Sequence, residues 1–325
     1  MKFRSILAIS VILCMVMAMS MTAHAANFPN RTIRILVPFS AGGATDLMAR
    51  ILAPAMSSRL GDIDIIVENR PGGGGAISVM ELITSPADGH TLMIHTVNDA
   101  SLTPILTDVA YTPQDIAPIA QTTTLPTTIF VRAESEIETV ADLLSMAQEN
   151  YGRMTFGTTG AGSLHHIIAE AFQFAAGYPG ILTHVPFNSG PESIAAVMGG
   201  HVDVVFGNAS YGTSHVRNQG VMRGIATSSG TGCPILPEMP TFRSLGFDVA
   251  YESWWGFGAP AGTPEEILDL LDGVIRDTMA DPEVIQSLMN VGMVPSYLSR
   301  SDFTAMWRGQ YYEMRELLTS IGLIE

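Results

Sequence analysis

Two glycine-bearing loops hold the residues best suited to chemistry. The segment Pro38-Phe39-Ser40-Ala41-Gly42-Gly43-Ala44-Thr45-Asp46 directly follows the β-type run Ile33–Val37 and precedes an amphipathic helical pattern. Small residues and glycines let the backbone turn tightly and aim N–H groups into open space. The helix that follows adds the positive end of its dipole, and together they make anion-binding chemistry. An ordinary strand-to-helix turn capped by Thr45 or Asp46 uses the same residues, so this loop alone leaves both uses open.

Gly157-Thr158-Thr159-Gly160-Ala161-Gly162-Ser163 repeats the pattern in the other half of the chain, with three hydroxyls beside the backbone donors. Neither loop fits a dinucleotide or phosphate-loop pattern, which argues against a nucleotide. Two such loops, one per domain, are what a cleft for a small anion needs. The glycine run Pro71-Gly72-Gly73-Gly74-Gly75 offers a third cleft loop, but a flexible turn is its simpler use. Trp254 is a candidate for an apolar pocket wall, with Trp255 as the alternative, although core packing is the commoner use of tryptophan.

Catalytic patterns are weak. Seven histidines follow residue 25, at positions 90, 95, 165, 166, 184, 201 and 215. None shows HExxH spacing, and His165 and His166, as helix neighbours, cannot chelate as an i,i+4 pair. Ser210 sits in Gly207-Asn208-Ala209-Ser210-Tyr211-Gly212, where Asn208 breaks the nucleophile-elbow pattern. Cys233 lies in a Gly/Pro loop with no nearby histidine. No catalytic constellation and no metal site is expected.

The elements that must position these loops read as α/β. Strands are expected at 33–37, 64–67, 91–95, 127–131, 154–157, 183–186, 203–206 and 224–227, with helices at 46–60, 140–150, 163–176 and 191–198 between them. That alternation implies parallel sheets covered by helices. The tail reads as three helices, 264–279, 282–291 and 301–321, without clear strands. No flexible linker separates two domains, so the chain is expected to cross twice, near 120–126 and 227–233. The division is then 26–122 plus 230–325 for a discontinuous first lobe and 123–229 for the second.

The chain has 325 residues, is 47% hydrophobic and 14% charged, and carries a formal net charge of −15. Disorder is excluded by the hydrophobicity, and nucleic-acid binding by the lack of a basic stripe. Lys2 and Arg4, the apolar run 6–19 and Ala23-His24-Ala25 read as a cleavable signal peptide, 1–25. Its removal leaves a charge of −17 and no lysine at all, which rules out Schiff-base and P-loop chemistry. Cys233 is then the sole cysteine, so no internal disulfide can form. An exported protein is expected.

Assembled in order, these segments resemble the periplasmic receptors of tripartite tricarboxylate transporters, the TctC or Bug-type family. The likeness runs from Ile33-Arg34-Ile35-Leu36-Val37-Pro38-Phe39 and Ala41-Gly42-Gly43 through Val67-Glu68-Asn69-Arg70-Pro71-Gly72 and Ala87-Asp88-Gly89-His90-Thr91-Leu92. It continues through His184-Val185-Pro186-Phe187 and Gly199-Gly200-His201-Val202-Asp203 to Ala259-Pro260-Ala261-Gly262-Thr263-Pro264. The resemblance implies a type II periplasmic-binding-protein fold: two α/β lobes, joined by a two-strand hinge, that close on a carboxylate. It implies that the loops matching Phe39–Asp46 and Gly157–Ser163 hold that group, partly through water. Ser40, Ala41, Gly42, Gly43 and Thr45 would donate from the first lobe, and Thr158, Thr159, Gly160 and Ser163 from the second, beside Gly162. Asp46 would order its loop. The chain departs from the family at Phe187-Asn188, where Tyr-Lys is common, and at Gly207-Asn208, where Asp-Asn is common. No acid is then left to pair an ammonium, so the ligand's far end is expected to be apolar or hydroxylated.

The implied function is a non-enzymatic, monomeric receptor without cofactor. It would carry a di- or tricarboxylate or an aromatic acid to large and small integral-membrane permease subunits. An orphan receptor feeding a periplasmic sensor is the alternative, and a secreted hydrolase the disfavoured one. The net negative charge does not forbid an anion, because salt screens it beyond about 8 Å while donors inside a cleft act at contact distance.

Overall fold

The computed structural model describes residues 28–325, so the expected signal peptide lies outside the described residues. Among the described residues ten strands form one sheet: β1 (Ile33–Val37), β2 (Ile65–Asn69), β3 (Thr91–Thr96), β4 (Ile116–Arg132), β5 (Thr155–Thr158), β6 (Thr183–Pro186), β7 (Val204–Asn208), β8 (Met222–Thr227), β9 (Glu252–Pro260) and β10 (Val294–Leu298). The order is β2-β1-β3-β9-β4-β7-β5-β6, with β8 and β10 also pairing with β4. The helices are α1 (Ala44–Arg59), α2 (Ala76–Ile83), α3 (Thr103–Leu106), α4 (Val140–Glu149), α5 (Leu164–Ala175), α6 (Gly190–Met198), α7 (Glu265–Met279), α8 (Pro282–Asn290) and α9 (Arg300–Ser320).

Parallel pairing of β2-β1-β3 at one end and of β7-β5-β6 at the other makes two α/β halves. In β1 all but Arg34 are buried, as a strand covered on both faces requires. The 17-residue β4 joins the halves: it pairs with β9 as far as Pro126 and with β7 from Thr127 onward. Helix starts follow their capping residues. Ser163, Ser189 and Asp281 each accept a first-turn N–H, and Thr139 with Asp142 forms a full capping box.

Three features differ from expectation. β9 lies just before the tail, where no element is expected, β10 lies within the tail read without clear strands, and α2 follows the glycine run. Residues 230–250, expected in the first lobe, pack on the second: Phe242 and Phe247 both meet Phe172 of α5, with ring centroids 5.2 Å apart in each case. The chain returns beside the β4 crossing instead, where Ser228 Oγ accepts from Thr127 N and donates to Tyr251 O. No helix among the described residues is long and apolar enough to cross a membrane.

Candidate functional site

In open α/β sheets ligands sit beyond the carboxyl ends of the strands. Here the chain leaving β1, β3, β5 and β7 converges from both halves on one cavity of about 320 Å³. Its wall includes Phe39, Ser40, Ala41, Gly43, Ala44, Thr45 and Asn98 from one side, and Thr159, His165, Asn188, Glu192, Asn208 and Tyr211 from the other. A second compartment of about 480 Å³ shares Phe39, Ser40, Asn98, Thr159 and Asn188 with it. This outer compartment runs on between Pro71–Gly75 and Gly160–Ser163, beside Phe187. The glycine run, for which a plain turn is the simpler reading, therefore forms a cleft wall.

The first loop is held from below by a buried carboxylate. Asp46 Oδ2 accepts the Gly42 N–H at 2.9 Å, both its oxygens accept from Arg50 Nε, and Oδ1 accepts from Asn69 Nδ2 at 3.0 Å. That same Asn69 amide nitrogen reaches Phe39 O at 3.0 Å, tying both ends of the loop to the tip of β2. Burial pushes the Asp46 carboxyl upward, but the bonds from Arg50, Gly42 and Asn69 outweigh it and hold it below the usual carboxylate range. The Gly42 N–H thus serves the loop and is taken from any ligand, and the Gly43 N–H is spent on Ser40 O at 3.4 Å. Free to point into the cavity are the Ala44 and Thr45 N–H groups, which lie in the first turn of α1 with no partner inside the helix. The indole Nε1 of Trp255 donates to Thr45 Oγ1 at 2.7 Å, leaving the threonine proton available.

The second loop spends more of its donors internally. Gly160 N donates to Thr158 Oγ1, Gly162 N to His166 Nδ1, and Ser163 Oγ to Gly160 O. Thr158 is fully buried and bonded to His184 Nε2 at 2.7 Å, so it shapes the loop from behind and does not line either compartment. Thr159 Oγ1 lies 2.9 Å from His165 Nδ1, and His165 Nε2 lies 3.1 Å from Asn208 Oδ1. A carbonyl oxygen only accepts, so Nε2 carries the proton and Nδ1 must receive the Thr159 hydroxyl proton. The Thr159 hydroxyl is left as an acceptor toward the cleft, so a donation from Thr159 would come from its backbone N–H, while the Asn208 –NH₂ is a donor. Burial pushes His165 down to about 4, against the Asn208 bond, which raises it, and the ring is neutral at pH 7. Threonine, imidazole and amide stand in the order of a hydrolytic triad. A base this weak, with no carboxylate to stabilise an imidazolium, serves to orient the two flanking groups.

Trp254 is the clear correction. Adjacent residues on a strand face opposite ways, so Trp255 enters the cleft. Trp254 turns into the core against Phe303 and Trp307 and hydrogen-bonds Gln310. Phe187, Gly160, Gly162 and Ser163 line the outer compartment only.

Two residues escape sequence reading. Asn98, in the irregular turn after β3, accepts the Leu164 N–H at 3.0 Å and so bonds one half to the first turn of α5 on the other. Glu192, in the first turn of α6, is an acid in the inner cavity wall, which corrects the expectation that none remains. Its capping position after Ser189 was the only signal. Among the described residues no group of three His, Cys, Asp or Glu could hold a metal ion.

Two α/β halves joined by a shared long strand, with a donor-lined cleft between them, define a type II periplasmic binding protein. Within that class the chain belongs to the tripartite tricarboxylate transporter family of receptors (TctC), whose model matches residues 48–323. A "UPF0065 protein in tcbD-tcbE intergenic region" of Pseudomonas sp. (strain P51) is 31% identical over 277 residues, 82% of this chain and 79% of that one. Among solved structures, R. palustris Rpa4515 with adipate superposes with a TM-score of 0.84 at 26% identity, covering 91% of this chain and 98% of that one. The periplasmic binding protein BugD does so at 0.81 and 26%, covering 91% and 99%.

Proposed function

We propose that this protein is a periplasmic receptor that closes its two lobes, 28–126 with 252–325 and 127–251, on a small carboxylate. It then delivers the ligand to the membrane subunits of a tripartite transporter, without catalysing a reaction on it. The observation that carries this reading is one cavity faced from opposite lobes by uncharged donors, the first-turn N–H groups of α1 on one side and the Asn208 amide and Tyr211 hydroxyl on the other. Helix N-terminal N–H groups and the Thr45, Asn208 and Tyr211 donors hold an anion at contact range without a cationic side chain. The adipate bound to the R. palustris relative supports a carboxylate as the ligand class.

Contacts to both lobes make closure ligand-driven. The test is the melting temperature of residues 26–325 against mono-, di- and tricarboxylates, aromatic acids and amino acids. A ligand at 100 times its Kd adds about 2.7 kcal/mol, a shift of about 5 °C in a chain this size. A selective shift with one carboxylate class is expected; silence across every acid overturns the reading.

Asn98→Ala removes the bond between the lobes and leaves the Leu164 N–H unpaired. The expected result is about 3- to 10-fold weaker binding of whichever acid gives the shift, from the loss of one hydrogen bond made across the closed cleft. Calorimetric titration checks this, and unchanged affinity would show that the bond contributes nothing to closure.

A further inference from the structure

The cleft walls carry a charge pattern that narrows the ligand class, an inference that rests on the carboxylate-receptor reading above. Among the described residues no lysine or arginine lines either compartment, and Glu192 is the one acidic side chain that does. Its place is fixed. Ser189 Oγ accepts the Glu192 N–H, and Glu192 Oε2 turns back to accept the Asn188 N–H at 3.1 Å. Pro191, next along α6, has no N–H to offer.

Three helix starts border the inner cavity, but they are not equivalent. That of α1 presents first-turn N–H groups and no acid, that of α5 has given its Leu164 and His166 N–H groups to Asn98 and Ser163, and that of α6 carries the protein's own carboxylate, bonded to the Asn188 N–H just ahead of it. One anionic group fits against α1, opposite the Asn208 amide. A second anionic group on the same ligand would lie in the same small cavity as Glu192, with no lysine or arginine in its wall to offset it. Glu192 is exposed at the cavity's edge, and two like charges within a few ångströms repel even at the effective polarity of a protein surface.

We propose that Glu192 is a specificity-determining residue that restricts the cleft to monocarboxylates. The group at the far end of the ligand is uncharged or a hydrogen-bond donor, with Glu192 Oε1 as its acceptor. The apolar faces of Trp255, Phe39 and Leu164 take the body between the two ends.

The experiment uses matched acids that differ only at the far end: hexanoate, 6-hydroxyhexanoate and adipate, and likewise benzoate, 4-hydroxybenzoate and terephthalate. Each is titrated calorimetrically into the full mature chain at neutral pH, and into Glu192→Gln. The wild type is expected to bind the monocarboxylate or hydroxy acid of a series at least about tenfold more tightly than its dicarboxylate. Glu192→Gln should close most of that gap by strengthening dicarboxylate binding, with the monocarboxylate changing less than about threefold. A wild type that binds the dicarboxylate as well as its partners overturns the proposal and leaves the receptor reading standing, as does a gap that survives in Glu192→Gln. No binding by any acid in either series overturns the proposal, and the receptor reading then stands or falls on the wider melting-temperature panel. The wild-type comparison stands alone should the variant fail to fold.

Discussion

Acidification from pH 6.5 to pH 4 is expected to remove about 3 kcal/mol of stability through His165 alone. Burial holds this ring at about 4 in the folded protein, against 6.5 for an ordinary histidine. Between those values the unfolded chain binds a proton that the folded chain refuses, so stability rises with pH across the window and is fully present above it. One unit is worth about 1.4 kcal/mol, which sets the magnitude. His184 adds to the same slope. Burial, with His166 stacked on it at 4.0 Å, pushes it to about 4, partly offset by Glu170. It is only partly buried, and solvent trims its share. The depressed carboxyls of Asp46, Glu68 and Asp281 lose their contribution only as pH falls through their lower folded values, so the upper window belongs to the histidines. Urea unfolding at pH 7.0, 6.0, 5.0 and 4.5 measures the slope. His165→Gln should be less stable at pH 7 but flatter by nearly one proton. Parallel curves for wild type and His165→Gln would show that the ring takes up its proton without cost.

Periodicity made the parallel parts of the fold readable. β1 and β6 occupy the expected residues, and α4 and α5 differ by one residue at their ends. β9 was hidden because Gly256, Gly258 and Pro260 give it the composition of a loop. The reason for its glycines is non-local: a Cβ on Gly256 would stand 2.3 Å from Phe303, and one on Gly258 2.7 Å from His95. The strand exists because β3 and β4 flank it, which no window of sequence contains. The site divides in the same way. Glycines, small residues and a following helix marked both loops, because local backbone geometry alone makes an anion-binding turn. Which donors remain free was not legible. Gly42 is silenced by Asp46 four residues on, but the Thr159 proton is spoken for only because His165 is locked by Asn208, 43 residues away. Asn98 acts on the opposite lobe, and Glu192 was masked by its second use as a helix-start residue.

The arrangement around Asp46 also determines how sharply the first loop can recognise anything. Asp46→Ala is expected to cost about 2–4 kcal/mol of stability and to weaken carboxylate binding by an order of magnitude or more. The carboxylate is nearly inaccessible, yet it accepts from a loop amide, a guanidinium and the Asn69 amide nitrogen, which also holds Phe39 O. Its removal leaves the Gly42 N–H without its partner and takes from the Asn69 amide one of its two acceptors, leaving Phe39 O. Arg50, half-exposed, swings into water and recovers its hydration, which keeps the loss below that of a fully buried pair. The Phe39–Thr45 backbone then samples many conformers where it held one, and ordering it again falls on the ligand as lost affinity. Asp46→Asn separates the two contributions. An amide keeps an oxygen for Gly42 but turns an –NH₂ toward Arg50 or Asn69, so it should retain more affinity than alanine at similar stability. Thermal unfolding and calorimetric titration of both variants read the two quantities independently. Equal affinities in wild type and Asp46→Ala would mean that the loop holds its shape without the carboxylate, and that the helix start alone recognises the anion.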